Sequence, residues 1–389
     1  MYDFAVIGKG LIGSAAARYL SQKGSTLLIG PDEPANLETH RGIFASHYDQ
    51  GRITREIASD SVWAELARRS IDVYSELEQQ SQISFHHPVG CVYIANEAGI
   101  QPYKEVANER SVPHQFFDHA TDLQNDFPFL GSFDALSAIS EEAPAGYINP
   151  RDLIRAQLEL SRTQGTDIVA ETAIDLEILK SKVKIHTGND TVYEAKRILL
   201  ATGAYANAFN LLEKKLELRV KSETVMFAKV PEAEAARLKT LPSLILDKAI
   251  GYLDDFYLLP PILYPDGNIY VKLGANTAAD STLVTSRDMA DWMRKGKSNM
   301  FLDNFKEALA QLLPDLQAES FHTGRCLITY TKHGKPYIDE ILPKQLYVAT
   351  GGNGSAAKSS DAIGQLAAQM VEKARWQDTL DPELFALPS

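Results

Sequence analysis

The first apolar run, Tyr2 to Ile7, has the length of a strand, and the pattern changes immediately after it. Gly8-Lys9-Gly10-Leu11-Ile12-Gly13 interrupts it, Ser14 to Lys23 repeats at helical spacing, and Gly24 ends the helix. Thr26 to Ile29 is the next strand, so the chain opens with a beta-alpha-beta unit. From Asp60 to Gln80, the residues Trp63, Leu66, Ala67, Ile71, Tyr74 and Leu77 share one helical face and form a core stripe. Phe85 to Asn96 is strand-like, and Gln101 to Ser140 is a mixed stretch broken by Pro102, Pro113 and Pro128. Asn149 and Pro150 carry the N-cap and first-turn signals of a helix that ends before Gly165. Asp167 to Ala170, Ile174 to Leu179, Lys182 to Thr187 and Thr191 to Ala195 alternate as strands, the last two meeting at Gly188-Asn189-Asp190. Arg197 to Ala201 is a buried strand, Glu217 to Val230 and Leu244 to Leu273 make a second beta-rich block, and Asp288 to Leu313 is helical. Gln345 to Thr350 is the last apolar strand before a glycine-rich turn and a helix.

With 389 residues, 44% of them hydrophobic, the chain can bury two or three domain-sized cores. Lys and Arg number 39 against 51 Asp and Glu, a formal charge of −12. That sign argues against a nucleic-acid partner bound by counterion release. The two cysteines, Cys91 and Cys326, form neither a disulfide framework nor a zinc motif, so a reducing, cytoplasmic location is expected. The first residues run straight into a strand with no basic leader, and the longest uncharged apolar stretch, Ile198 to Leu212, is too short to span a bilayer. No membrane partner is expected.

The chemistry starts at the first turn. G-x-G-x-x-G between a strand and a helix is a dinucleotide-binding fingerprint. Gly8 allows the tight turn, Gly10 lets backbone approach a pyrophosphate, and Gly13 lets helix and strand pack closely, while the helix N-terminus faces the phosphates. The acid that normally follows the second strand and binds ribose is absent, because that strand ends at Gly30. Either Asp32 or Glu33 serves from the loop, or both are solvated loop acids. Gly352 to Ser359 comes close to a P-loop, but Ala357 stands where the glycine before lysine is needed. A nicotinamide dehydrogenase would share the first unit without explaining the motifs that follow. The adjacent His86 and His87 point to opposite faces of a strand and make a poor metal site.

Several short motifs in order give a resemblance. They are Ser46 to Arg55, Gly146 to Pro150, Ala201-Thr202-Gly203, Val271 to Gly274, Cys326 to Thr329, Pro336 to Asp339 and Gly351 to Ser360. With the first turn, they resemble the FAD-dependent D-amino acid oxidase superfamily, closest to its monomeric sarcosine oxidase and N-methyltryptophan oxidase branch. The resemblance implies an α/β (α+β) fold. A Rossmann-like FAD-binding domain from 1–80, 146–215 and 322–389 is interleaved with a mixed β-sheet substrate domain from 81–145 and 216–321.

Carried over residue by residue, the resemblance implies contact with FAD at Gly8, Gly10, Leu11, Ile12 and Gly13. It implies the same at Asp32, Ser46, Arg52, Ala173, Thr202 and Gly203, and at Cys326, Gly351, Gly352, Gly354 and Lys358. Arg52 is the cation against the flavin ring, Arg55 and Lys358 hold the substrate carboxylate, and Lys272 activates dioxygen. A guanidinium fork matches a carboxylate, and an ammonium adds point charge. Cys326 stands where the branch joins its flavin through a thioether, and that link is favoured over a buried cysteine beside noncovalent FAD. The pocket departs from the sarcosine pattern: Tyr48 and Asn276 replace histidines and Ile328 replaces an aromatic, while Tyr257 offers an aromatic wall.

The expected function is oxidation of an α-amino or N-alkyl amino acid other than sarcosine to an imine, with dioxygen as acceptor and hydrogen peroxide as product. The alternatives are a dehydrogenase that uses a quinone or other acceptor and an inactive flavin-binding protein. The expected partners are an amino acid with a free carboxylate and dioxygen, and the expected assembly is a monomer or small homo-oligomer.

Overall fold

The computed structural model describes residues 1–388. The first turn forms as its sequence directs: strand Tyr2–Ile7, helix Leu11–Ser21 and strand Thr26–Ile29. These belong to an eight-stranded sheet whose centre is parallel. Tyr2–Ile7 lies between Thr26–Ile29 and Val192–Leu200, with Asp167–Val169 beyond the former and Leu346–Thr350 beyond the latter. Parallel strands are buried on both faces, which explains their continuous apolar runs. Thr191 to Ala195 and Arg197 to Ala201, read as two strands, are one strand, Val192–Leu200. Its first half pairs antiparallel with Val183–Thr187 and its second half parallel with its other neighbours.

Helices Leu11–Ser21, Pro150–Thr163 and Ala356–Lys373 pack together through a buried polar knot. Asp361 accepts from Arg18 at 2.8 Å, from Tyr19 at 2.7 Å and from Gln157 at 2.7 Å. Asn149 caps the second of these helices by accepting from the amides of Arg151 and Asp152, as its sequence signal requires.

The second domain is built on a nine-stranded, largely antiparallel sheet. Its long strand Leu218–Val230 is flanked by Ser320–Thr331 and Ile269–Thr277, followed by Leu253–Leu263, Ser243–Asp247 and Cys91–Ala95. Ser320–Thr331 pairs with Leu218–Lys229 along its whole length, so the domain boundary drawn at 322 cuts through a strand. Cys326 accordingly stands on the substrate-side sheet. A three-stranded sheet of Arg52–Thr54, Gly146–Ile148 and His86–His87 joins the two domains, and the boundary at 145 separates paired strands for that reason.

Two local expectations change. Pro102 lies within the helix Glu97–Glu109, because capping by Asn96 and burial of Ile100, Val106 and Ala107 outweigh one lost hydrogen bond. The helix read over Asp288 to Leu313 breaks after Ser286–Lys295, where the Trp292 ring fills the space beside Gly296, and resumes at Leu302–Leu312. Among the described residues, no helix is long and apolar enough to cross a membrane.

The knot at Asp361 gives a stability test. Asp361→Ala leaves Arg18 buried without its carboxylate and is expected to cost about 3–5 kcal/mol. Asp361→Asn keeps an acceptor and should cost less. The urea midpoint measures both.

Candidate active site

One cavity of about 510 Å³ runs from the first turn of the parallel sheet to the face of the second sheet. That size lies in the range of cofactor and small-molecule sites. Its dinucleotide end is bounded by Gly8, Gly10, Leu11, Ile12, Ala173, Thr202 and Gly203. Gly8 has φ +114°, and a Cβ there would lie 2.2 Å from the Ala201 carbonyl oxygen. Gly13 is off the cavity wall and works by packing, since a Cβ would lie 1.8 Å from the Gly8 oxygen. A Cβ on Gly10 would meet nothing within 4 Å. The helix that begins there has neither a side-chain cap nor an acid in its first turn, so its amides are free for an anion. The helix from Ala356 also starts at the cavity without a side-chain cap or first-turn acid, behind Gly351, Gly352 and Gly354. The Thr202 hydroxyl is buried with no partner. Two uncapped helix ends, an open space over Gly10 and an orphaned hydroxyl fit a dinucleotide.

The absent ribose acid has a steric explanation. A Cβ at Gly30 would lie 2.6 Å from both the Cβ and the amide nitrogen of Lys9. Lys9 crosses over Gly30, lines the cavity and pairs its ammonium with Asp32. Asp32, with its side chain 73% exposed, stays off the cavity wall, and Glu33 is held by Arg151 at 2.6 Å.

Alternation and register build the other end. On Ile269–Thr277, residues Lys272, Gly274 and Asn276 face one way. Across the ladders, Tyr257 lies opposite Gly274, and Glu223 lies opposite Cys326. A side chain at Gly274 would strike the Tyr257 ring at 2.1 Å, so the glycine makes room for that ring. Tyr257, Asn276, Cys326, Ile328, Tyr48 and Ser46 all reach the cavity. Lys272 does not: it is fully buried beneath the wall, 5.1 Å from the Tyr257 ring centroid, and donates to Asp49 and to the Gly51 carbonyl.

Asp49 organises this region. It accepts from Lys272 and Arg52, from the Tyr264 hydroxyl at 2.7 Å and from the Gln50 amide at 2.8 Å. Burial opposes its ionisation, but the two cations hold its carboxyl well below the usual range. Burial and the neighbouring Arg52 pull Lys272 down to about 8, against the opposing pull of Asp49. Arg52 continues to the Ser46 carbonyl at 3.1 Å and the Cys326 sulfur at 3.6 Å.

Arg55 and Lys358 line the cavity together. Arg55 donates to the Ile57 carbonyl, lies 5.7 Å from the Tyr103 ring centroid, and has a buried Nε with no partner. Lys358 is 5% exposed, and its one contact is a 3.4 Å bond to the Trp63 carbonyl. Burial, and then repulsion from Arg55, pulls its ammonium down to about 7. Glu141, the nearby carboxylate, is occupied by the amides of Glu56 and Ile57 at 2.8 Å each.

The structure adds cavity residues that sequence reasoning missed: Glu223, Asp255, Tyr103 and Tyr330. Glu223 alternates with Arg219 and Lys221, which reads as a solvated strand face, and Tyr103 lies in the proline-punctuated stretch, so neither carried a readable signal.

This fold and cavity define a dinucleotide-dependent oxidoreductase. A family profile described as FAD dependent oxidoreductase (DAO) matches residues 3–370, and the chain belongs to that family. It is an FAD-dependent enzyme of the group that oxidises amines and amino acids. It is similar to the monomeric sarcosine oxidase of a Bacillus species, 22% identical over 99% of this chain and 96% of that one. The monomeric sarcosine oxidase of Streptomyces avermitilis is 25% identical over 95% and 93%. Among solved structures, an open-form variant of NikD, an unusual amino acid oxidase essential for nikkomycin biosynthesis, superposes with a TM-score of 0.79. That match is 18% identical and covers 99% of this chain and 97% of the other. Amadoriase I of Aspergillus fumigatus matches at 0.74, with 17% identity over 98% and 89%.

The contact at Gly30 makes restoring the ribose acid counterproductive. Gly30→Glu is expected to weaken FAD binding by about fivefold or more, since a clash with main chain costs at least about 1 kcal/mol. Titration of the apoprotein in a Cys326→Ser background, followed by flavin fluorescence, measures it, and tighter binding would show that Lys9 yields.

Proposed function

We propose that the protein oxidises an α-amino or N-alkyl amino acid other than sarcosine to its imine, with dioxygen as acceptor and hydrogen peroxide as product. The observation that carries this reading is the pair Arg55 and Lys358, two neighbouring cations on the cavity wall that, among the described residues, form no salt bridge, with Glu141 turned to the amides of Glu56 and Ile57. A substrate carboxylate would supply the missing charge, relieve their repulsion and satisfy the Arg55 Nε. That anchorage fixes the substrate's Cα–H bond, and positioning of this kind supplies much of the rate.

Gly8, Gly10, Leu11, Ile12, Thr202, Gly203 and Gly351 to Gly354 would hold FAD, which takes the electron pair and hydrogen from the Cα–N unit and passes them to dioxygen. Arg52, Lys272 and Lys358 place positive charge at this end of a protein whose net charge is −12. Such charge favours the reduced cofactor, and Lys272, held charged by Asp49 behind Tyr257, favours dioxygen reduction. Cys326, beside the Arg52 guanidinium, is the candidate for a thioether to the flavin. Tyr48, Asn276 and Ile328 shape the amine side and support a substrate other than sarcosine. The two unpaired cysteines fit the cytoplasmic location we expect for this monomer or small homo-oligomer.

Anaerobic flavin reduction by a panel of amino acids and their decarboxylated amines tests the reading. Arg55→Met is expected to lower kcat/KM for the amino acid by about 100-fold, equivalent to about 3 kcal/mol, while leaving the amine nearly unchanged, and Lys358→Met to lower it at least tenfold more for the amino acid than for the amine. Equal losses for both substrates would remove the carboxylate role.

Acid precipitation tests Cys326. Yellow colour should stay with the wild-type pellet and pass to the supernatant in Cys326→Ser. Colour released from the wild type would make the flavin noncovalent.

A further inference from the structure

We propose that the sheet wall of the cavity selects a substrate bearing a second, positively charged nitrogen, with Glu223 as its main partner and Asp255 as its outer one. This rests on the amino acid oxidase reading above and narrows its substrate class.

Glu223 sits within Leu218–Val230, opposite Cys326 on one neighbouring strand and one step from the Thr224–Ala275 pair on the other, which brings it beside Asn276. It is 5% exposed and lines the cavity, and Asp255 lines it too. Lys221 is the cation paired with this group. It lies 2.6 Å from Glu223 and 2.8 Å from Asp280, and it also donates to the Asn276 side-chain oxygen. Asn276 in turn donates to Asp255 at 3.4 Å. Lys221 thus pairs with Glu223 and Asp280, and Asp255 joins the group through Asn276, so carboxyl groups outnumber the cation on this wall.

The three donors of the Lys221 ammonium are shared among Asp280, Asn276 and Glu223, so Glu223 holds only a share of that cation while it lines the cavity. Glu223 Oε2 is paired with the Lys221 ammonium at 2.6 Å. Burial pushes the Glu223 carboxyl up to about 7, with Asp280 and Asp255 adding to the shift and Lys221 opposing it; Asp255 is also raised, first by burial. A cationic ligand would remove that penalty. An ammonium or guanidinium suits such a wall, because its N–H donors can meet both the Glu223 and Asp255 carboxylates. The cavity then holds positive charge at Arg55 and Lys358 and negative charge at Glu223 and Asp255, a pattern that matches a molecule with a carboxylate and a separate ammonium.

The test uses the FAD-loaded enzyme. Rapid-mixing flavin reduction compares both enantiomers of lysine and ornithine with norleucine and norvaline, which lack the terminal charge. Difference spectra compare binding of ε-aminocaproate with hexanoate. The cationic member of each pair is expected to be favoured at least tenfold in kcat/KM or Kd. Glu223→Gln should remove that preference and leave the neutral member within about twofold, and Asp255→Asn should remove part of it.

No preference in the wild type, or equal slowing of charged and neutral substrates in Glu223→Gln, overturns the proposal. Equal slowing would make Glu223 a proton acceptor for the α-ammonium or a structural group. If no amino acid reduces the flavin but ε-aminocaproate still outbinds hexanoate through Glu223, the oxidase reading fails and the charge-selective wall stands. If amino acids reduce it without regard to charge, the wall fails and the oxidase reading stands.

Discussion

A single buried carboxylate, Asp49, holds the two domains in the arrangement that makes the cavity. It belongs to the loop leading into Arg52–Thr54, yet its partners Lys272 and Tyr264 come from the second sheet. Its hold on Arg52 also fixes the reach of that guanidinium to the Cys326 sulfur, 274 residues away. A charge buried this deeply is tolerable only when fully paired, since the loss of one partner costs about 3–5 kcal/mol. The same need for pairing that stabilises the junction sets the position of Arg52 and, three residues on, of Arg55.

Charge placement organises the cavity from that junction outward. The dinucleotide end has no buried acid and offers two uncapped helix N-termini, a field suited to phosphates. The middle holds cations in excess, Arg55 and Lys358, and the far wall holds acids in excess. Low-dielectric walls strengthen each of these fields, so a charged ligand is oriented along the cavity before chemistry begins. The negative sign of the whole chain says nothing of this internal gradient.

Much of the fold was legible because its signals are local. Gly8, Gly10 and Gly13 are demanded by the turn itself, Asn149 and Pro150 by a helix start, and the apolar runs by strands buried on both faces. The site was legible in part through motifs: Arg52, Arg55, Lys358, Tyr257, Asn276 and Cys326 all meet at one cavity. The ribose position was not, because Lys9 and Gly30 meet across two strands and either residue alone is unremarkable in sequence. The limit of the second domain was not either, since only ladder pairing shows that Ser320–Thr331 belongs to the substrate sheet.

The sequence by itself determined the opening beta-alpha-beta unit, the helix start at Asn149 and Pro150, and the beta-rich character of the second block. Tertiary structure alone decided that Lys272 lies behind the wall against Asp49, that Asp32 stays outside the cavity, and that Glu223 and Asp255 turn into it. The physical reason is strand register. A shift of one residue would turn Lys272 and Glu223 to the opposite face, and register is fixed by packing between segments as far apart as the 223 residues that separate Asp49 from Lys272.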